Sequence, residues 1–221
     1  MTPRDAEVEI AGERLVLMPE RTVFWPGART LVVADLHWGK AATFRLGGIP
    51  IPSGMTRDDL DRLAGAIHRT AAGRLILLGD LFHARPGRRA ERTLATIAAW
   101  RARHPALVIL LVRGNHDRRA GDPPDELGVT VVDGPYLAPP FELRHEPAPA
   151  RGPYVLAGHV HPACVVSGAG RQRERLPCFF FGPGGAVLPA FGSFTGTALI
   201  EPRGADRIYV VAGDSVIAVP A

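Results

Sequence analysis

Residues 30–37 read TLVVADLH, a run of apolar residues that ends in an aspartate and a histidine. The same pattern returns twice: Gly79 and Asp80 follow LILL, and residues 114–117, GNHD, follow LVILLVR. Short runs rich in Val, Ile and Leu are typical of strands that are buried on both faces of a sheet. We therefore expect these polar residues to lie at the ends of buried strands.

Strand-sized apolar runs occur along the whole chain. They cover Leu15 to Leu17, Thr30 to Ala34, Leu75 to Leu78, Leu107 to Val112, Val129 to Val132, Tyr154 to Ala157, Ala198 to Ile200 and Ile208 to Val211. Residues 56–72 show the apolar spacing of an amphipathic helix, with Thr56 and Asp59 as a cap and Gly73 as a stop. A second helix is predicted over residues 89–103. Strands and helices alternate in the first half and strands dominate the second, which predicts two packed sheets with helices outside.

Length and composition indicate one globular unit spanning residues 1–221, of which 46% are hydrophobic. The chain has neither a signal-peptide pattern nor the ~20 apolar residues of a membrane span, so we expect no membrane association and a cytoplasmic protein. Cys164 and Cys178 form no CxxC pair and are predicted to be reduced, packed thiols.

The basic residues are almost all arginines, since Lys40 is the only lysine among 26 basic residues. A formal charge of +4 permits contact with a polyanion such as nucleic acid. The arginine bias is equally explained by a GC-rich genome.

Five polar motifs each follow an apolar run, and their ligand-type residues are Asp35, His37, Asp80, Asn115, His145, His159 and His161. Sites in helix-flanked sheets gather beyond the carboxyl ends of strands, where these motifs are expected to meet. Carboxylates, an amide oxygen and imidazoles suit Mn, Fe, Zn or Mg. Seven ligands exceed what one ion usually takes from a protein, so two divalent ions that share one carboxylate fit better.

Each of these residues also has an ordinary structural explanation. Asp35 and Asp80 could cap helices, GNHD could be only a turn, and a lone histidine at a strand end is usually just hydrogen-bonded. Ordinary structural roles would have to explain all five motifs, each at the end of a predicted strand and in this order along the chain.

The order DLH, GD, GNHD, H, GHVH resembles the signature of the calcineurin-like metallophosphoesterases from Asp35 to His161. The resemblance implies an α/β fold of two packed mixed β-sheets flanked by helices. It also implies a first metal held by Asp35, His37, Asp80 and His161, and a second held by Asp80, Asn115, His145 and His159. Asp80 would bridge the two ions.

Four longer phrases are similar to the bacterial ligase-associated DNA damage response endonuclease group of that superfamily. They are AATFRLGGIPIPSG (41–54), VRGNHDRRAG (112–121), RLPCF (175–179) and LPAFGSFTG (188–196). This resemblance implies a manganese-dependent enzyme that cuts single-stranded DNA in DNA repair and accompanies a DNA ligase, a helicase and an exonuclease. The phrase PAFGSFTG reads equally well as a bulged turn entering a buried strand.

The catalytic roles follow from the resemblance as well. His116 would protonate the leaving oxygen, and Asp117 would hold its imidazole. His83 stands where many members have a second aspartate, and it either touches substrate, orients a ligand or merely starts a helix. Arg118 and Arg119, with Arg85, Arg88 and Arg89, either contact flanking phosphates or form ordinary solvated surface.

Two other functions compete with a nuclease acting on DNA. The same metal site could serve a small-molecule phosphoesterase acting on a nucleotide or lipid precursor. The fold also occurs in a retromer subunit that acts through protein contacts, and loss of ligands would indicate such a non-catalytic scaffold. None of the predicted ligands is lost in this sequence.

Overall fold

Two β-sheets organise the computed structural model, which describes residues 3–149, 151–168 and 173–219. The first sheet has seven strands that lie side by side in chain order. They are Ala6–Ile10 (β1), Glu13–Met18 (β2), Thr22–Trp25 (β3), Thr30–Val33 (β4), Arg74–Leu77 (β5), Val108–Val112 (β6) and Val129–Val132 (β7). Strands β1 to β4 pair antiparallel, and β4 to β7 pair parallel.

The second sheet is built from the C-terminal half of the chain. Its strands are Tyr136–Ala138 (β8), Phe141–Leu143 (β9), Tyr154–Ala157 (β10), Pro162–Ser167 (β11), Arg173–Phe181 (β12), Gly185–Val187 (β13), Ala198–Leu199 (β14), Arg207–Ala212 (β15) and Ser215–Val219 (β16). They follow the order β14-β11-β12-β13-β10-β9-β8, and β15 pairs with β12 and β16. Parallel and antiparallel pairs occur in both sheets, which confirms the predicted α/β fold of two mixed sheets.

Within the described part of the chain, five α-helices lie between residues 40 and 120. They are Lys40–Leu46 (α1), Met55–Thr70 (α2), Arg85–Arg89 (α3), Glu91–Ala102 (α4) and Asn115–Ala120 (α5), with short 3-10 helices at Pro26–Ala28 and Asp125–Leu127. Helix α2 connects β4 to β5, and α4 connects β5 to β6, so both are crossovers between parallel strands. Among the described residues, the helices are too short or too polar to cross a bilayer.

The hydrophobic core has two layers, one on each face of the first sheet. Side chains alternate along a strand, so Leu31 and Val33 of β4 pack with the helices while Val32 packs against the second sheet. Phe141 and Phe179 fill the layer between the sheets. Because both faces are covered, the ends of β4, β5 and β6 are where polar residues can gather.

The predicted helix over 56–72 is confirmed as α2, but its cap differs from the prediction. The helix begins after Gly54, and Asp59 is buried, where it pairs with Arg62 and accepts a hydrogen bond from the Ser193 amide. Asp59 therefore ties the first turn of the helix to a distant loop.

The predicted helix over 89–103 is divided in the structure, so its predicted start is wrong. Ala90 is extended, with φ −67° and ψ 110°, and it separates α3 from α4. The predicted strands agree with observed ones to within about two residues, whereas eight observed strands were not predicted: β1, β3, β8, β9, β11, β12, β13 and β16. Cys178 is buried and Cys164 half-buried in the second sheet.

Candidate metal centre

The five motifs converge at one edge of the molecule. Asp35, Asp80 and Asn115 follow the carboxyl ends of β4, β5 and β6, and His145 and His159 follow β9 and β10. Parallel strands bring their carboxyl ends to the same edge, and the two sheets meet there. The seven predicted ligands are thus drawn from both sheets.

A first cluster contains Asp35, His37 and His161, whose ligand atoms all lie within 4.8 Å of one another. Asp35 is 0% exposed and His37 is 6% exposed. Oδ1 of Asp35 lies 3.4 Å from Nε2 of His161, and neither atom has a hydrogen-bond partner among the described residues. Buried polar atoms normally have a partner, so a carboxylate oxygen and an imidazole nitrogen that face each other unpaired are suited to bind one cation together.

A second cluster contains Asp80, His145 and His159, again with ligand atoms within 4.8 Å. Asn115 joins it, since its Oδ1 lies 2.8 Å from Nε2 of His145. Oδ2 of Asp80 lies 3.6 Å from that Nε2 and 3.9 Å from Nε2 of His37 in the first cluster. Asp80 therefore lies between the clusters, where a bridging carboxylate is needed.

In both Asp35 and Asp80, one carboxylate oxygen accepts a backbone hydrogen bond and the other faces the histidines. Oδ2 of Asp35 accepts a hydrogen bond from the His159 amide at 2.7 Å, and Oδ1 of Asp80 accepts one from the His116 amide at 2.9 Å. These bonds link motifs that are far apart in sequence. The remaining oxygens point into the clusters.

Backbone carbonyls fix the tautomers of two histidines. Nδ1 of His145 lies 2.9 Å from the Leu78 carbonyl oxygen, and Nδ1 of His161 lies 3.1 Å from that of Gly196. A carbonyl oxygen only accepts hydrogen bonds, so Nδ1 carries the proton in both rings. The lone pair of Nε2 is then free to bind a cation.

Five of the seven predicted ligands have a backbone in the left-handed region. The φ angles are 55° at Asp35, 49° at His37, 53° at Asp80, 69° at His159 and 54° at His161. Only a few per cent of residues other than glycine adopt such angles, and each costs roughly 1–3 kcal/mol. Backbone strain is therefore concentrated at the centre, where it directs side chains inward.

Glycines in two motifs allow the ligands to approach one another. A Cβ on Gly79 would lie 2.2 Å from Nδ1 of His145, and a Cβ on Gly114 would lie 2.3 Å from Oδ1 of Asp80. Any side chain at either position would displace a predicted ligand. The glycines of GD and GNHD are thus required by packing as well as by turn geometry.

Burial disfavours the charged forms of His37 and Asp80. Burial, reinforced by His161 and His116, lowers the pKa of His37 to about 2, so its ring is neutral and able to bind a cation. Burial raises the pKa of Asp80 to about 6, against the opposing effect of His145. A bound cation would restore the charged form of this carboxylate.

His116 stands beside the clusters and contacts His83. The two rings stack with centroids 4.9 Å apart, and Nδ1 of His116 lies 2.6 Å from the His83 carbonyl oxygen. The carbonyl therefore holds the proton on Nδ1 and leaves Nε2 available for proton transfer. Burial lowers the pKa of the His83 ring to about 4, and Lys40 contributes to this shift.

The predicted contact between Asp117 and the His116 ring is wrong. Asp117 is buried, and its carboxylate accepts hydrogen bonds from the amides of Asp80 at 2.7 Å and of Leu81 and Gly114 at 2.9 Å. The side chain points into the fold because three amides of two metal loops need an acceptor there. Asp117 positions those loops, and the His83 carbonyl orients His116.

Two of the arginines near GNHD pair with carboxylates. Arg118 pairs with Asp133 at 2.9 Å, and Arg113 pairs with both Asp122 and Asp133. Arg119 is exposed. The structure thus gives Arg118 a protein partner, where the sequence left open either a phosphate contact or ordinary solvated surface.

Three residues beside the centre escaped the sequence reasoning. Phe44 lies 6.0 Å from the His83 ring and 5.5 Å from the Phe194 ring, measured between centroids, and Lys40 Nζ lies 5.6 Å from the Phe194 ring. Lys40 is half-buried, and burial lowers its pKa. Lys40 could have been noticed as the sole lysine, three residues after the DLH motif, and the two phenylalanines lie within the quoted phrases 41–54 and 188–196.

The family model for calcineurin-like phosphoesterases matches residues 28–158, more than half of the chain. The chain therefore belongs to the calcineurin-like phosphoesterase family, and it is a metallophosphoesterase, a hydrolase of a family that uses divalent metals. This confirms the family and the class of enzyme predicted from the motifs.

Among solved structures, the chain is similar to the crystal structure of the Pseudomonas putida nuclease MPE. The sequences are 43% identical, the match covers 98% of this chain and 100% of that chain, and the TM-score is 0.84. A comparison with curated proteins finds no match.

Proposed function

We propose that this metallophosphoesterase is an endonuclease that cleaves single-stranded DNA and acts in DNA repair. The observation that carries the proposal is the pair of ligand clusters joined by Asp80, with His116 beside them. Its similarity over nearly the whole chain to a nuclease favours nucleic acid as the substrate. The manganese preference and the functional association with a DNA ligase, a helicase and an exonuclease rest on the sequence resemblance.

The proposed metal ligands fit two divalent cations. The first ion would be held by Asp35, His37, Asp80 and His161, and the second by Asp80, Asn115, His145 and His159. The unpaired atoms of Asp35 and His161 and the neutral His37 ring support this assignment. When bound, two such ions supply Lewis-acid activation of water and neutralise negative charge on a phosphate.

His116 is proposed as the general acid. Its Nδ1 is held by the His83 carbonyl oxygen, so Nε2 is the atom that would give a proton to the departing oxygen of the sugar. Stacking against His83 and edge contact with His37, at 5.0 Å between centroids, keep the ring in one orientation. Asp117 supports this arrangement only indirectly, by fixing the loops that carry Asp80 and Asn115.

A single strand suits the site better than a duplex. The clusters lie where strands from both sheets end, so a scissile phosphate must enter from one side. A flexible strand can bend to reach them, whereas a duplex can do so only at a cost in deformation energy.

Closed circular single-stranded DNA tests the proposal because it has no ends. With manganese, we expect the circle to be cut and a fully paired linear duplex to be spared. A panel of mononucleotides offered in parallel tests the small-molecule alternative. Survival of the circle beside rapid turnover of a small phosphoester would replace the nuclease proposal with that alternative.

A further inference from the structure

A groove of about 940 Å³ opens beside the metal centre, between α1, the start of α2, α3 and α4. Four arginines line it: Arg45, Arg57, Arg89 and Arg92. We call this surface the arginine groove. All four side chains are exposed, and none of the described residues that line the groove has a carboxylate.

The charge of the arginine groove is unbalanced. Arginines elsewhere, such as Arg69, Arg113 and Arg118, form ion pairs with carboxylates. Within the part of the chain that the structure describes, no ion pair involves any of the four groove arginines. Four like charges along one groove repel one another, so a polyanion that lies across them would be bound.

The groove lies near the metal centre. A cavity of about 10 Å³, the space of about one water molecule, shares Ala41, Met55 and Thr56 with the groove and also contacts His37 and Lys40. This cavity is too small to admit a strand, but its walls place a proposed metal ligand next to the lining of the groove. A strand with its reacting phosphate at the centre could therefore extend over the surface into the groove.

Aromatic rings stand at the junction between the two regions. Phe44 and Phe194 are half-buried and pack edge to face, and Phe44 also contacts His83. Proteins that bind single strands combine a basic groove with rings on which bases stack. Arginine donates forked hydrogen bonds to phosphate oxygens, so a groove of arginines suits a strand of several phosphates.

We propose that the arginine groove binds the phosphates of the DNA strand on one side of the cleavage point, with Phe44 and Phe194 contacting the bases between the groove and the centre. The proposal rests on the proposed nuclease function and adds where the strand lies. The arginines would hold the strand without recognising its base sequence, because every DNA sequence has the same phosphates.

A charge-reversal pair tests the groove against a control of equal charge change. The groove variant is Arg57→Glu with Arg92→Glu. The control is Arg29→Glu with Arg74→Glu, at the amino ends of β4 and β5, which face away from the centre. Fluorescence anisotropy with a labelled oligothymidylate, in chelator to prevent cleavage, gives the affinity at several salt concentrations.

We expect the groove variant to bind at least tenfold more weakly than the wild type, and the control to stay within about threefold. The slope of log affinity against log salt should fall by about 0.7 for each phosphate that no longer binds an arginine. Wild-type affinity and slope in the groove variant, or an equal loss of affinity in the control, would overturn the proposal. The milder pair Arg57→Gln with Arg92→Gln gives the same comparison if charge reversal prevents folding.

Hydrolysis separates this inference from the proposed function. In the groove variant, the fall in DNA cleavage should exceed the fall in bis-nitrophenyl phosphate hydrolysis at least tenfold, because the small diester does not reach the groove. Equal falls would overturn the groove proposal. If the wild type binds the oligonucleotide through the groove but never cuts the circle, only the proposed nuclease function is contradicted. If the wild type cuts the circle and the groove variant cuts it equally well, only the groove proposal is contradicted.

Discussion

The two ends of the parallel strands β4, β5 and β6 differ in burial and charge. At the amino ends, Arg74 and Val108 are exposed, with Val108 at 55%. At the carboxyl ends, Asp35 and Asp80 are buried at 0% and 2% exposure and have left-handed φ angles. Burying carboxylates and straining their backbone both cost stability. The difference teaches that one end of the sheet is built for function and the other only closes the fold.

Replacing Asp80 should have the largest effect. Asp80→Asn keeps the acceptor for the His116 amide but removes the charge and the proposed bridging oxygen. We expect phosphodiester hydrolysis to fall to background and bound manganese to decrease, measured by a nitrophenyl diester assay and by elemental analysis. Arg74→Ala, at the opposite end of the same strand, should change neither. Near wild-type activity with full metal content in Asp80→Asn would remove the contrast between the two ends.

Loss of His116 should be the next largest effect. His116→Ala is expected to retain both metals and to slow DNA cleavage by roughly 10²–10⁴-fold, the range for a lost general acid. A nitrophenyl diester has a leaving group that needs little protonation, so it should lose much less. Equal losses on the two substrates would mean that His116 only positions other groups.

Replacing Asp117 tests whether this residue positions the loops around the centre. Asp117→Ala leaves buried amides of Asp80, Leu81 and Gly114 without their acceptor. Each such amide costs about 1–3 kcal/mol, so we expect the free energy of unfolding in urea to fall by about 3 kcal/mol or more. The exposed carboxylate Asp133 is the control, and its removal should cost less than about 1 kcal/mol despite two ion pairs. Similar values for both variants would contradict the positioning role.

Metal should stabilise the strained end of the sheet. Because the native fold gathers the ligands and the unfolded chain does not, manganese at 100 times its dissociation constant should add about 2.7 kcal/mol to the free energy of unfolding. Thermal or urea unfolding with and without chelator measures this. Manganese should raise the free energy of unfolding of Asp80→Asn much less. If manganese does not change the free energy of unfolding of the wild type, a preformed site would be contradicted.

Arg118 should have the smallest effect. Its guanidinium is bound to Asp133, so Arg118→Ala is expected to change DNA cleavage by less than about threefold. A loss above tenfold, measured as kcat/KM on the circular substrate, would mean that the pair opens to contact DNA. That outcome would extend the functional region beyond the strand ends.

The apolar runs in the sequence predicted part of the fold and also the proposed ligands of the centre. Apolar runs predicted eight of the sixteen described strands, among them β4, β5 and β6, because buried strands have continuous hydrophobic segments. The seven proposed ligands were found because each follows such a run. The same apolar runs therefore predicted the strands and the polar residues that follow them.

Other features depend on contacts that sequence patterns do not show. The direction of the Asp117 side chain is set by the amides of Asp80 and Leu81, which lie far away in the chain. The arginine groove combines Arg45, Arg57, Arg89 and Arg92, which no motif links. Sequence reasoning selected Arg118 because it adjoins GNHD, and it could not show that Asp133 lies beside it.

The number of manganese ions bound per chain tests most directly whether the strand ends form a shared two-metal centre. Equilibrium dialysis followed by elemental analysis should be run on the wild type and on Asp80→Asn. Two ions per wild-type chain are expected, with less than one retained at the same free manganese in Asp80→Asn, since the shared carboxylate serves both sites. A wild type that saturates at one ion, or an Asp80→Asn variant that still binds two, would contradict a centre bridged by Asp80.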